Sequence, residues 1–173
     1  MKLKLMLMLL CAFVVFPGCG MKPSKPLPTY AGGGYLLTIP EGWEVEKNGG
    51  DGVDMMATYV EEVEPIVLQT VNVVVEHFPV LYSEEKYLAL NLEELRKEFT
   101  VSPDRKFVPA KVGPYSGYRL EYEIFVEGVP LVADLYIVIH DDLVYAITCG
   151  TFKGGEAGFA PKKKAILGSF SIK

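Results

Sequence analysis

Histidine and cysteine are scarce. The 173-residue chain holds two histidines and three cysteines, and this shortage removes whole classes of chemistry. A zinc site needs three or four His, Cys or carboxylate ligands at close spacing, and the sequence clusters none. A Ser, His and acid triad could draw only on His77 or His140, and no GxSxG elbow accompanies either. Both histidines fall at expected strand ends, where solvation or a local hydrogen bond is their usual role. Basic residues are outnumbered, 17 against 22 acidic, so the basic surface needed for phosphate contact is missing and nucleic acid is excluded as a partner. Tryptophan occurs once, and Trp43 reads as a core anchor rather than a platform for a ligand. The uncharged apolar run from Leu5 to Phe16 has 12 residues. At 1.5 Å per residue it is too short for the ~30 Å hydrocarbon core of a bilayer.

What is present begins with that run. Lys2 and Lys4 precede it and Pro17, Gly18 and Cys19 follow, which is the layout of an export signal. A small residue directly before a cysteine resembles the lipobox of bacterial lipoproteins. The resemblance implies that residues 1–18 are a signal peptide and that Cys19 is diacylated and becomes the first mature residue. Phe16 and Pro17 depart from the Leu and the Ala or Ser that the pattern prefers at those places. The alternative is an ordinary secretory signal cut nearby. With Cys11 lost in the leader and Cys19 committed to lipid, Cys149 alone remains, so no intramolecular disulfide is expected.

From Met21 to Gly34 the sequence is MKPSKPLPTYAGGG. Its prolines favour extended geometry and its glycines are permissive, so residues 19–34 are expected to be a tether, the fifteen residues after Cys19 reaching up to ~45 Å at ~3.1 Å per residue. Lys22 and Lys25 lie where anionic headgroups would attract them, though solvation in a linker accounts for them equally well.

Residues 35–173 have the length of one domain, and hydrophobic residues at 50% support a packed core without disulfides. YLLTIP and Trp43 to Val45 read as one strand broken at Glu41 and Gly42. Met55 to Val60 is a second, and Ile66 to Phe78 a third, with Val71, Val73 and Val75 towards a core. Ser83 starts a helix to about Phe99. It is capped by the serine hydroxyl, is acidic in its first turn at Glu84 and Glu85, and carries one apolar stripe of Leu88, Leu92, Leu95 and Phe99. A meander follows. Tyr118 to Val126 alternates with one wet face, Leu131 to His140 alternates again, and Leu143 to Thr151 is apolar on both faces and therefore central. A helix from about Ala157 to Leu167 spans Pro161, and SFSIK closes the chain as an edge strand or tail.

Three further features carry chemical alternatives. Asn48, Asp51 and Asp54 could offer oxygens to calcium, but the spacing is not that of an EF-hand and turn chemistry explains them. Glu61, Glu62 and Glu64 form an acidic loop, read as solvated, that could recruit a cation or basic partner. Lys162, Lys163 and Lys164 read as a wet helix face, with a membrane or partner patch as the other reading. Cys149, on the side of Leu143, Tyr145 and Ile147, reads as a small buried hydrophobe.

The opening TIPEGW from Thr38 to Trp43, the long amphipathic helix before Phe99, the three-strand meander and the closing helix with SFSIK together resemble the PsbP-like superfamily, which includes PsbP, Mog and DcrB-type lipoproteins. The resemblance covers nearly all of Tyr35 to Lys173. It implies an α+β domain, an antiparallel central β-sheet flanked by helices in an α/β/α sandwich, of a kind that usually binds or assists partners and does not catalyse. It carries over no functional residue. The expected function is that of a non-enzymatic, exported lipoprotein, membrane-anchored through Cys19, that binds another envelope component and needs no cofactor. A small-ligand or cation carrier is the alternative, and a hydrolase the less favoured one.

Overall fold

The computed structural model describes residues 29–48, 52–61, 67–79, 81–126 and 129–173. Their order is β1 (Thr29–Gly32), β2 (Tyr35–Thr38), β3 (Glu44–Lys47), β4 (Val53–Glu61), β5 (Val67–His77), α1 (Glu84–Glu98), β6 (Val108–Val112), β7 (Tyr115–Val126), β8 (Val129–His140), β9 (Leu143–Phe152), α2 (Glu156–Gly168) and β10 (Ser171–Ile172). Seven strands form an antiparallel sheet in the order β3-β4-β5-β9-β8-β7-β6, and β1, β2 and β10 form a second sheet in the order β1-β2-β10. The architecture is the expected α+β sandwich. β9 lies at the centre of the large sheet, as its two apolar faces require.

Alternation along the strands divides the interior into two cores. Val71, Val73, Tyr136, Val138, Tyr145, Ile147 and Cys149 face one side, where Phe159, Ile166 and Leu167 of α2 and Tyr35, Leu37 and Phe170 of the small sheet region meet them. Leu120, Tyr122, Ile124, Leu131, Ala133, Leu135, Ile137, Val144 and Ala146 face the other, beneath Tyr87, Leu88 and Leu95 of α1. Burial of each large apolar side chain stabilises the fold by roughly 1.5–3 kcal/mol, before the entropy of ordering it is subtracted.

The first helix forms as its sequence dictates. Ser83 is the N-cap and accepts from the Lys86 amide at 3.2 Å, Glu84 and Glu85 occupy the first turn, and Arg96 and Lys97 the last. The second helix is less regular. It contains Pro161 and has no side-chain cap at Gly155. Its hold is tertiary instead: Phe159 stacks on Trp43 with ring centres 6.1 Å apart, and Lys162 lies over the Tyr59 ring at 4.0 Å. Those contacts offset the lost hydrogen bond that an interior proline entails.

Three expectations are corrected. The tether does not extend to Gly34: Thr29–Gly32 is a strand paired with β2, with Gly32 opposite Tyr35. The Gly33–Gly34 pair is therefore a two-residue hairpin turn, with Gly34 at φ +84°, a conformation that suits glycine. Tyr30 is 8% exposed and its hydroxyl donates to the Asp54 carbonyl at 3.1 Å, which gives this polar-looking segment a reason to fold. Second, YLLTIP and the segment after Trp43 are not one broken strand, because β2 and β3 belong to different sheets. Third, Lys162 and Lys163 are not a wet face; both lie down on the sheet, as described below, and Lys164 alone of the three is exposed. The strand β6 was not anticipated.

Both edges of the large sheet are protected against further strand pairing. All four residues of β3 are exposed, and three of them, Glu44, Glu46 and Lys47, are charged. On the other edge β6 contains Pro109, which offers no N–H to a new neighbour.

Candidate functional site

The outward face of β7 carries Arg119, Glu121, Glu123 and Phe125, alternating with the buried Leu120, Tyr122 and Ile124. Register places Glu121 opposite Asp134 of β8, and Asp134 opposite Cys149 of β9. α2 crosses beside this face. Asp134 is 4% exposed, and an ionised carboxylate so deep requires partners. It has two: Arg119 at 2.6 Å from Oδ1 and Lys163 on Oδ2. Arg119 also donates to Glu121 at 3.0 Å, and Arg105 reaches Glu121 at 2.7 Å from the loop before β6. Lys153 closes on Glu123 at 2.8 Å. Arg105, Glu121, Arg119, Asp134 and Lys163 thus form one ladder of alternating charge, and the separate Lys153–Glu123 pair follows along the strand before the exposed ring of Phe125.

Next to the ladder lies a cleft of about 340 Å³, lined by Tyr136, Ala160, Lys163, Lys164, Leu167 and the backbone of Gly113 and Gly168. Burial, and after it the Asp134 charge, push the Tyr136 hydroxyl up to about 12, so it stays protonated as a donor. Cys149, 2% exposed beneath Asp134, is also pushed up to about 12 by burial. A thiol so shielded is neither a nucleophile nor a metal ligand at neutral pH. The set of groups can hold an acidic or hydrogen-bond-accepting surface with ordered donors. Nothing in it activates a nucleophile.

The residues singled out from sequence are dispersed. His77 ends β5 with Nδ1 3.4 Å from Asp142, and His140 ends β8 with its ring 5.6 Å from Tyr115. Both flank Leu143 in register, and neither has a serine hydroxyl as a hydrogen-bond partner among the described residues. Asp54 points inward and accepts the Tyr35 hydroxyl at 2.7 Å and the Tyr30 hydroxyl at 3.2 Å. Asn48 adopts φ 54° and donates its amide to the Asp54 carbonyl at 3.0 Å, which is turn chemistry. Glu61 accepts the Tyr59 hydroxyl at 3.1 Å. Trp43 is stacked between Tyr59 and Phe159, a core anchor. Cys19, Lys22, Lys25, Asp51, Glu62 and Glu64 lie outside the described residues. Sequence reasoning missed the pairing of Asp134 with Arg119 and Lys163. The available signal was a single carboxylate inside the apolar run LVADLYIVI.

An antiparallel seven-stranded sheet, with one long helix on one face and a closing helix on the other, is the PsbP-like fold. Solved structures bear this out. LpqN of Mycobacterium tuberculosis, involved in cell envelope biogenesis, superposes with a TM-score of 0.57 at 14% identity, covering 86% of each chain. Cyanobacterial PsbP (CyanoP) of Synechocystis gives 0.56 at 14% identity over 91% of this chain and 98% of that one. A Bacteroides thetaiotaomicron protein gives 0.57 at 13% identity; the match takes in 81% of this chain but only 45% of that longer one. No family model and no curated protein matches the chain in sequence. No helix among the described residues is long and apolar enough to cross a membrane.

Proposed function

We propose that this chain is an exported, non-enzymatic lipoprotein, anchored through Cys19, whose domain binds another envelope component through the charged face of β7 and the cleft beside α2. The ordered ladder from Arg105 to Lys163 carries the reading: it presents fixed charges of both signs next to the exposed Phe125, the mixture found at protein-binding surfaces. The fold likeness to LpqN supports an envelope role, and the acidic balance of the chain argues against nucleic acid.

Site-specific photocrosslinking in native membranes tests the reading. A crosslinker at Phe125 is expected to capture a defined envelope protein, and one at Glu44 on the far edge is expected not to. Equal and diffuse capture from both positions would sink it. The second reading, a small-ligand carrier, is favoured by the cleft alone. A thermal-shift panel of anionic metabolites separates the two, since a ligand of the folded state raises the melting temperature.

A further inference from the structure

The core beneath α1 is apolar except at its middle. Asn72 on β5 and Thr148 on β9 are direct cross-strand partners, 3% and 1% exposed. Both point to the α1 side, since they alternate with Val71, Val73, Ile147 and Cys149 of the opposite core. Tyr122 of β7 stands opposite Ala133, and Ala133 opposite Gly150. The Thr70 hydroxyl lies against Gly150, and the Tyr122 hydroxyl approaches that of Thr148. From above, α1 lowers Asn91, 1% exposed, whose Nδ2 donates to the Tyr87 carbonyl at 2.8 Å.

Among the described residues Asn72 Oδ1 and Asn91 Oδ1 are fully enclosed with no hydrogen-bond partner, and Thr148 Oγ1 and Tyr122 Oη, equally enclosed, lie close to each other without reaching good hydrogen-bond geometry. Each such group left unmatched costs about 1–3 kcal/mol, and a domain with a net stability of roughly 5–15 kcal/mol does not carry four of them in one seam. What would satisfy them is small, uncharged, and both donor and acceptor. The two amide oxygens need donors, and the two hydroxyls can give or take. No carboxylate or cation belongs to the set, so an ion does not fit it. Water does, and buried waters typically make about three hydrogen bonds to groups of this kind.

We infer that at least one long-lived water is sealed between α1 and the sheet, donating to Asn72 Oδ1 and Asn91 Oδ1 and sharing hydrogen bonds with Thr148 Oγ1 and Tyr122 Oη. The site is independent of whatever the domain binds. Oxygen-17 magnetic relaxation dispersion on the unmodified chain reads it directly, together with the near-isosteric variants Thr148→Val and Tyr122→Phe. The wild-type chain is expected to hold long-lived internal water, and each variant to lose at least one molecule while its amide spectrum stays native. A wild-type chain with no such water, or a signal unchanged in both variants, overturns the site. Should either variant fail to fold, a high-resolution crystal structure of the unmodified chain decides. Solvent density within hydrogen-bond reach of at least three of the four atoms is expected; direct closure of Tyr122 on Thr148 and Asn72 with no density between them refutes it.

Discussion

Asp134 and Cys149 face each other across β8 and β9, so a carboxylate and a thiol share one enclosed place beneath Lys163. Their fates differ because only the carboxylate has cationic partners. Removing the carboxylate should therefore do far more harm than removing the thiol. Asp134→Ala leaves Lys163 without its carboxylate while Arg119 keeps Glu121, and with both cations part-exposed the loss should be about 1–3 kcal/mol. Urea denaturation is expected to show that loss. A change under 1 kcal/mol would mean that the pair is solvated.

The thiol sets an alkaline limit. Cys149 has its folded pKa raised from 9.0 to about 12, so the folded state keeps a proton that the unfolded chain releases. Its contribution is complete below pH ~9 and is lost as pH rises towards the folded value. Wild-type stability should begin to fall near pH 9, and Cys149→Ala should reduce that fall while leaving the part due to the buried tyrosines, whose folded pKa values are also raised above 10. The native thiol should also resist iodoacetamide at pH 8 and react on unfolding.

A truncated chain beginning at Thr29 should be fully stable, whereas one beginning at Tyr35 should lose at least ~2 kcal/mol. The second chain gives up Tyr30, whose burial alone is worth roughly 1.5–3 kcal/mol, and strips one hydroxyl from Asp54. Equal melting temperatures for the two would show that β1 is dispensable.

Ser83→Ala removes the hydroxyl that accepts from Lys86 and should cost about 1 kcal/mol. Ser83→Asp should restore it, since aspartate caps equally well and favours the helix dipole. A denaturation series over the three chains checks both outcomes.

Legibility in the sequence followed the range of the interaction. The helix from Ser83, the central strand from Leu143 and the Asp141–Asp142 turn rest on neighbours a few residues apart, and the chain displays those directly. Asp141 indeed takes the left-handed φ of 53° that a tight turn invites. The hairpin at Gly33–Gly34 was hidden by context, because the prolines before it suggest a linker and the strand partner is recognisable only once Tyr30 is seen to reach Asp54. The candidate site was the least visible part. Arg119, Asp134 and Lys163 come from three different elements, and no local pattern links a carboxylate in a strand to a lysine in a helix far along the chain. The lysine run looked solvated because helix periodicity shows which residues share a face. It does not show that long aliphatic stems can lay two of them across a neighbouring sheet.

β2 pairs on one side with β1 and on the other with β10, so the first and last strands are stitched to the same short segment. A chain that emerges N-terminus first, from a ribosome or a membrane pore, holds β2 half-paired until Ser171 and Ile172 appear. The small sheet can thus close only once Ser171 and Ile172 have emerged. Until then Tyr35 and Leu37 lack the cover of Phe170, and the domain stays in a form that a holding chaperone would recognise. Completion of the fold is in this sense timed by the last two paired residues.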